Sequence, residues 1–429
     1  MICTDMGRIH SWLLAFFVTA ALGAPAIAQT TGPETPETGK PAAPGPEGQA
    51  QPTSWFSSLK LSAQFDAGFT NNTSSPADGL NFGQLFTDRS NQFLMNQLLL
   101  TAQRLPDPKA TGYDFGFQFQ ALYGTDARFV QFMGQLNSTF ATKYQLAFIN
   151  ANLQAHLPWL TPGGIDVKAG QYPTPLGYEV IDPAGNPFYS HSYIFNFGLP
   201  FVHTGILSTL HVNPVLDLYG GVDSGVNTSL GAGDNNGAAA GLAGFGLNLL
   251  GGKLTILALS HFGPENPTRT VPKANCCFRT ENDMVVTYKY SDKLSFTTEL
   301  NWIHDNIFHA NGIGAAQYVS YGLTDTITLN GRTEIFRDDN GFFVAAFPGY
   351  HDFVNAEYGY PATVLTAGPA TYSEITFGFT YKPSLPAPVS AFMIRPEIRY
   401  DHTLTNTRAY LDFNSRDQLT IAADAILNF

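Results

Sequence analysis

The chain has 429 residues and a formal net charge of −12, with 13% charged and 13% aromatic residues. Average soluble proteins carry roughly 25% charge, so this composition makes a poor soluble protein and suits a wall with lipid on one face and water on the other. Net acidity argues against nucleic acid as a partner.

Arg8 and His10 precede an apolar run from Trp12 to Leu22, and Ala26-Ile27-Ala28 offers a small-x-small cleavage site. This predicts a secretory signal peptide over 1–28. The run is too short to span a bilayer, Pro25 breaks it, and no later stretch of about 18 apolar residues predicts a spanning helix. Residues 29–54 place Pro33, Pro36, Pro41, Pro44, Pro46 and Pro52 among Gly, Thr and Glu. That mixture predicts a disordered periplasmic tether and leaves 55–429 as the folded unit.

From residue 58 onward, apolar and polar residues alternate with the period of a strand. Leu59, Leu61, Ala63, Phe65, Ala67 and Phe69 alternate with Lys60, Ser62, Gln64, Asp66 and Gly68. About sixteen such segments follow in order: 58–69, 92–104, 112–124, 144–157, 165–172, 203–212, 215–223, 237–249, 253–262, 281–290, 294–304, 315–321, 326–337, 371–382, 391–402 and 418–429. The even-to-odd links are short and rich in turn residues, as in Asn213-Pro214, Leu250-Gly251-Gly252 and Ser291-Asp292-Lys293. The odd-to-even links are longer: about 70–91, 125–143, 173–202, 224–236, 263–280, 305–314, 338–370 and 403–417. A sandwich has no reason to sort its loops by parity. A transmembrane antiparallel up-and-down β-barrel does, with short periplasmic turns and long external loops. Closure leaves no strand edge unpaired in lipid, and sixteen strands leave room for an aqueous channel. Tyr113, Tyr123, Trp302, Tyr381 and Tyr400 near strand ends fit interfacial girdles.

The third long link is unusual for a solvated tip. It runs from Gly170-Gln171-Tyr172-Pro173-Thr174-Pro175-Leu176-Gly177-Tyr178-Glu179 through Asn186 and Tyr189-Ser190-His191-Ser192 to Phe195, Pro200 and His203-Thr204-Gly205. An apolar loop of this length should bury itself, and the barrel interior is the nearest shelter. These residues resemble the β-barrel porin-2 (OmpL-like) family of bacterial outer-membrane proteins, most closely over 165–225. The resemblance implies an outer-membrane porin-like barrel and carries no settled substrate.

Charges on the inward rows predict the pore chemistry. Glu179 and Asp182 on the third loop are expected to face Arg332, Arg395 and Arg399 across a narrow neck, giving a transverse field. The bland alternative is that these charges pair along the wall and keep the lumen wet. Lys60, Asp66, Asp114, Lys168, Asp217, Glu299, Glu334, Glu374, Glu397 and Asp424 line the same interior, and the excess of acid predicts weak cation preference. Tyr172, Tyr178, Tyr193 and Phe197 offer a slide for sugars or an anchor for the loop.

Catalysis is not expected: there is no G-x-S-x-G or H-E-x-x-H, and neighbours such as Ser190-His191-Ser192 rarely form a working dyad. Cys276 and Cys277, adjacent in a loop, could form a vicinal disulfide, but no further ligands accompany them. The pairs His304/His309 and His203/His211 are more commonly loop histidines than ligands, so no metal or cofactor is expected. The last strand places Leu419, Ile421, Ala423, Ala425, Leu427 and Phe429 on one face, and a terminal Phe429 resembles the signal read by the barrel-assembly machinery. Ala422 and Ile426 fall on the inward row with Asp424.

The reading is therefore an outer-membrane channel for passive diffusion of ions and small hydrophilic solutes. Outer-membrane lipid and the assembly machinery are its partners, and the oligomer is a monomer or trimer. The alternatives are a substrate-specific uptake channel for a sugar or small acid and a non-conducting structural or adhesive barrel.

Overall fold

The computed structural model describes residues 55–107, 110–136, 142–386 and 389–429. The expected signal peptide and tether lie outside the described residues. The strands are β1 (Lys60–Asn72), β2 (Gln92–Arg104), β3 (Asp114–Gly124), β4 (Gln145–Leu157), β5 (Ile165–Pro173), β6 (Val202–Asn213), β7 (Leu216–Asp223), β8 (Ala240–Leu249) and β9 (Leu254–Gly263). They continue as β10 (Arg279–Lys289), β11 (Leu294–Asp305), β12 (Ala310–Gly322), β13 (Ile327–Asp338), β14 (Ala345–Ala346), β15 (Leu365–Thr366), β16 (Ala370–Tyr381), β17 (Ala391–Thr403) and β18 (Asp417–Asn428). Sixteen of them close a barrel, each pairing with its sequence neighbour and β1 sealing against β18, while β14 and β15 form a separate two-stranded sheet. All pairings are antiparallel. Among the described residues no helix is long and apolar enough to cross a membrane.

The two-residue period sets which row faces which side. Along β18, Ile421 and its apolar companions point outward, while Gln418, Thr420, Ala422, Asp424 and Ile426 are buried inside. The seam is completed at the chain terminus, where the Phe429 amide donates to the Ala63 carbonyl at 2.8 Å and the Ala63 amide donates back at 3.3 Å. Leu153, Ile313, Phe377 and Ile398 belong to an exposed apolar outer band, the surface that a barrel presents to lipid.

One long connection is a correction. The expected loop 305–314 contracts to residues 306–309, because β12 begins at Ala310 rather than near 315. Gly312 and Gly314 hid the start of that strand from an apolar-periodicity reading, since they carry no side chain to alternate. They are glycine for a packing reason: a Cβ on Gly314 would overlap the Ile194 side chain of the third loop. Gly68 of β1 plays the same part, because a Cβ there would stand 2.5 Å from the Tyr189 ring.

The second correction concerns which loops go inside. The third loop, 174–201, is not alone. Phe82, Leu85 and Phe86 of 73–91, Phe129, Val130 and Phe132 of 125–144, Val344 and Ala346 of 339–369, and Ala409 and Tyr410 of 404–416 join it in one buried apolar cluster. That cluster continues onto inward wall residues such as Leu99, Leu122, Leu207, Leu242 and Leu259. The loop-bearing end of the barrel therefore holds a core of its own.

Candidate functional site: a clamped loop inside the barrel

The third loop leaves β5 at Pro173 and returns into β6 at Val202. Pro173, Pro175, Pro183, Pro187 and Pro200 stiffen it and remove amide donors. The remaining amides and carbonyls must find partners away from bulk water, and the inward rows of β11 to β18 supply them.

Wall carboxylates take the loop amides. Glu299 accepts from the Tyr178 amide at 2.9 Å, Glu397 from Tyr189 at 2.8 Å and Ser190 at 3.2 Å, and Glu334 from Tyr193 at 2.6 Å and Ile194 at 2.8 Å. Wall guanidiniums take the carbonyls. Arg395 donates to Pro183 at 2.6 Å and Asn186 at 2.7 Å, Arg332 to Ser190 at 2.8 Å, and Arg399 to His191 at 2.5 Å. Charge-assisted bonds of this type are roughly twice as strong as neutral ones, and they fix the loop from both polarities of its backbone.

The same arginines are neutralised along the wall. Arg332 Nε lies 2.5 Å from Glu374, Arg395 pairs with Asp424, and Arg399 Nη2 lies 2.8 Å from Asp401. Glu179 does not face its bases across water. Its carboxylate touches Arg332 at 2.7 Å, accepts from the Ser192 amide at 2.9 Å and meets His191 Nδ1 at 2.9 Å. Burial pushes the Glu179 carboxyl up, but Arg332, His191 and the Ser192 amide outweigh it and hold it down at about 2. Burial pushes His191 down against the pull of Glu179, and its ring stacks on Phe195 at 4.0 Å between centroids.

Asp182 stands apart from this group. It is exposed, accepts from Gln64 at 2.8 Å and caps the short turn Pro183–Gly185 through the Ala184 amide at 3.0 Å. Of the five residues assigned to a constriction, the structure thus joins Glu179 directly to Arg332. Arg395 and Arg399 hold the loop backbone, and Asp182 is exposed between the buried Ile181 and Pro183. Tyr172, Tyr193 and Phe197 are buried in the packed interior rather than lining an open slide. Tyr193 donates to Asp401 at 3.1 Å and stacks on Tyr372 at 5.1 Å.

The remaining lumen charges divide by height. Asp66, Glu299, Glu334, Glu374, Glu397 and Asp424 are buried beside the loop. Lys60, Asp114, Lys168 and Asp217 lie toward the end that carries the short turns. There Asp114 pairs with Arg104 at 2.5 Å, Lys168 approaches the Tyr172 ring at 5.9 Å, and Asp217 meets His211 at 2.8 Å. His211 also reaches Asp166 at 3.1 Å, which in turn holds His156 at 2.7 Å. Cys276 and Cys277 sit in the 264–278 loop with their Sγ atoms 2.7 Å apart, in contact but not joined.

Sequence reasoning placed the arginines inside but missed what the glutamates do. A carboxylate that binds a loop amide leaves no sequence signature beyond an acid on an inward row, and the loop segment it meets is well over 100 positions away. His261 was not singled out at all, because nothing along the chain links it to Asp223, 3.1 Å away in the fold.

The match to known proteins comes through one family. The family model described as "Putative beta-barrel porin-2, OmpL-like" matches residues 58–429. The chain belongs to this family. No curated protein is similar to it in sequence. Among solved structures, the anion-selective porin from Comamonas acidovorans superposes with a TM-score of 0.54 at 10% identity, covering 87% of this chain and 99% of that one. The outer membrane channel DcaP of Acinetobacter baumannii gives 0.51 at 12% identity, covering 86% and 97%. OmpF of Salmonella typhi, in complex with daunomycin, gives 0.51 at 10% identity with the same coverage. At these identities the likeness is one of fold. The protein is a porin-like outer-membrane barrel.

Proposed function

We propose that this barrel passes ions and small hydrophilic solutes by passive diffusion, and that the third loop sets its narrowest point. The observation that carries the reading is the clamp itself: wall acids and arginines hold both the amides and the carbonyls of one loop inside the barrel. The carboxylates that face inward outnumber the bases, which supports a weak preference for cations. Family membership and fold favour a channel over an enzyme.

A second reading has its own support. The apolar cluster built from five loops packs inside the loop-bearing end, as expected of a barrel that does not conduct and serves a structural or adhesive role. A substrate-specific channel for a sugar or small acid would instead leave the aromatic loop residues in contact with solute, and most of them are buried.

The test is conductance of the purified protein in planar bilayers under a salt gradient. The channel reading expects small discrete steps and a reversal potential favouring cations. Removal of residues 180–187 of the third loop is expected to enlarge the steps. Silence from both the native chain and the loop-shortened chain, each shown to be folded, would establish the structural reading. A reversal potential favouring anions would remove the cation assignment alone.

A further inference from the structure

At the loop-bearing ends of three strands, three side chains converge inside the wall. His203 of β6, Asp223 of β7 and His261 of β9 place ligand-capable atoms within 4.8 Å of one another, and all three are buried. Asp223 is the hub: one carboxylate oxygen lies 3.1 Å from His261 Nε2 and the other 3.4 Å from His203 Nδ1. The intervening strand β8 makes this possible, because opposite Asp223 it presents only Ala240.

The polar accounting of the cluster does not close. His203 Nδ1 and Asp223 Oδ2 face each other at 3.4 Å, and neither makes a hydrogen bond, although both are buried. Each imidazole is nonetheless oriented through its other nitrogen. His261 Nδ1 meets Glu281 Oε2 at 3.1 Å, and His203 Nε2 meets Thr174 Oγ1 at 3.1 Å. A carboxylate or hydroxyl on the far nitrogen is the arrangement that fixes the tautomer of a metal-bound histidine. Glu265 Oε1 lies 3.9 Å from His261 Nδ1, so three carboxylates surround two imidazoles. That surplus of negative charge suits a dication.

We propose that His203, Asp223 and His261 bind a late first-row divalent cation of the zinc type. A tetrahedral site with bonds of about 2.0–2.1 Å separates its ligand atoms by roughly 3.3 Å, close to the two carboxylate–imidazole spacings present here. Two imidazoles and a carboxylate favour zinc or cobalt over magnesium or calcium. The ion would staple β6, β7 and β9 together across β8. Through Thr174 it would also fix the point where the third loop leaves the wall.

The test uses the whole mature protein, refolded from urea into detergent with Zn²⁺ or Co²⁺ present so that burial does not bar entry, then dialysed. About one equivalent of metal per barrel is expected, with a tetrahedral Co²⁺ visible absorption band. The H203A/H261A double variant is expected to lose both, while H156A/H211A at the opposite end of the barrel keeps both. If the double variant does not fold, judged by heat-modifiable gel mobility, D223N takes its place with the same expectation. Less than about half an equivalent in the native protein, or equal binding by native and cluster variants, overturns the proposal.

Discussion

The two ends of this barrel treat the same chemistry in opposite ways. At the loop-bearing end, Arg332 and Glu179 have side chains 0% and 1% exposed and touch at 2.7 Å. At the turn end, Asp166, Asp217 and His211 also form a chain of contacts, yet their side chains are 36%, 37% and 25% exposed. Both sets are inward charges, and both looked equivalent as polar members of an alternating row. The difference is what covers them. Where loops descend, lumen charges become the attachment points of a buried core, and where no loop reaches Asp166, Asp217 and His211 stay partly exposed even though His156 beside them is buried.

That contrast predicts unequal consequences. Arg332→Met should be the most damaging change, because it leaves Glu179 buried without its arginine and Glu374 with only the Arg399 contact at 3.9 Å. Breaking a buried pair by removing one partner costs about 3–5 kcal/mol, and it should appear as a large drop in the unfolding temperature in detergent together with larger conductance steps. Losing neither would mean that the loop is held by its apolar contacts alone. Gly314→Val tests those contacts separately. Overpacking against Ile194 should cost about 1–3 kcal/mol, and Ile194→Ala in the same chain should recover part of it in a double-mutant cycle. Strict additivity would show that Gly314 and the loop do not meet.

How much of this could be read in advance follows from the same physics. Strand period and loop parity are local properties, and β2 and β11 sit within a residue of their expected places because their inward and outward rows differ in polarity throughout. Strand β12 escaped at its start because Gly312 and Gly314 have no polarity to read, and the reason for Gly314 being glycine lies in a loop more than 100 residues earlier. The burial of the third loop was legible in its prolines and aromatics. The descent of 73–91, 125–144, 339–369 and 404–416 was not, since their apolar residues are spaced irregularly between polar ones. The ion pair of Glu179 with Arg332, and the gathering of His203 with His261, are set by strand order and loop path. Neither leaves a spacing signal in the chain.

A third test addresses a carboxyl of the packed end that has no cation of its own. Glu357, on the short helix α1 (Asp352–Tyr358), accepts from Asn227 at 2.6 Å through one oxygen, and its other oxygen is buried without a partner. Burial pushes it up to about 8. Its unfolded value is near 4.3, so the unfolded chain releases this proton first as pH rises. The stability contributed by docking the 339–369 loop should therefore be greatest below about pH 4.5, fall by on the order of 1 kcal/mol per pH unit up to about 8, and level off above it. Glu357→Gln should flatten that slope in thermal melts across the same range, and an unchanged slope would assign it to other groups.

The smallest effect belongs to the turn end. Asp217→Asn removes one partner of the half-exposed His211 contact, and such exposed pairs contribute only about 0.2–1 kcal/mol. The melting temperature should barely move. If the wet end forms part of the solute path, the reversal potential should shift slightly toward anions even so, because one acid has been deleted from a row that water reaches. The same neutralisation made beside the third loop, at Glu397, should do the reverse: it should lower stability measurably, by stripping the acceptor from the Tyr189 and Ser190 amides, and leave selectivity unaltered. A stability loss at Asp217 equal to that at Glu397 would mean that the two ends are covered alike.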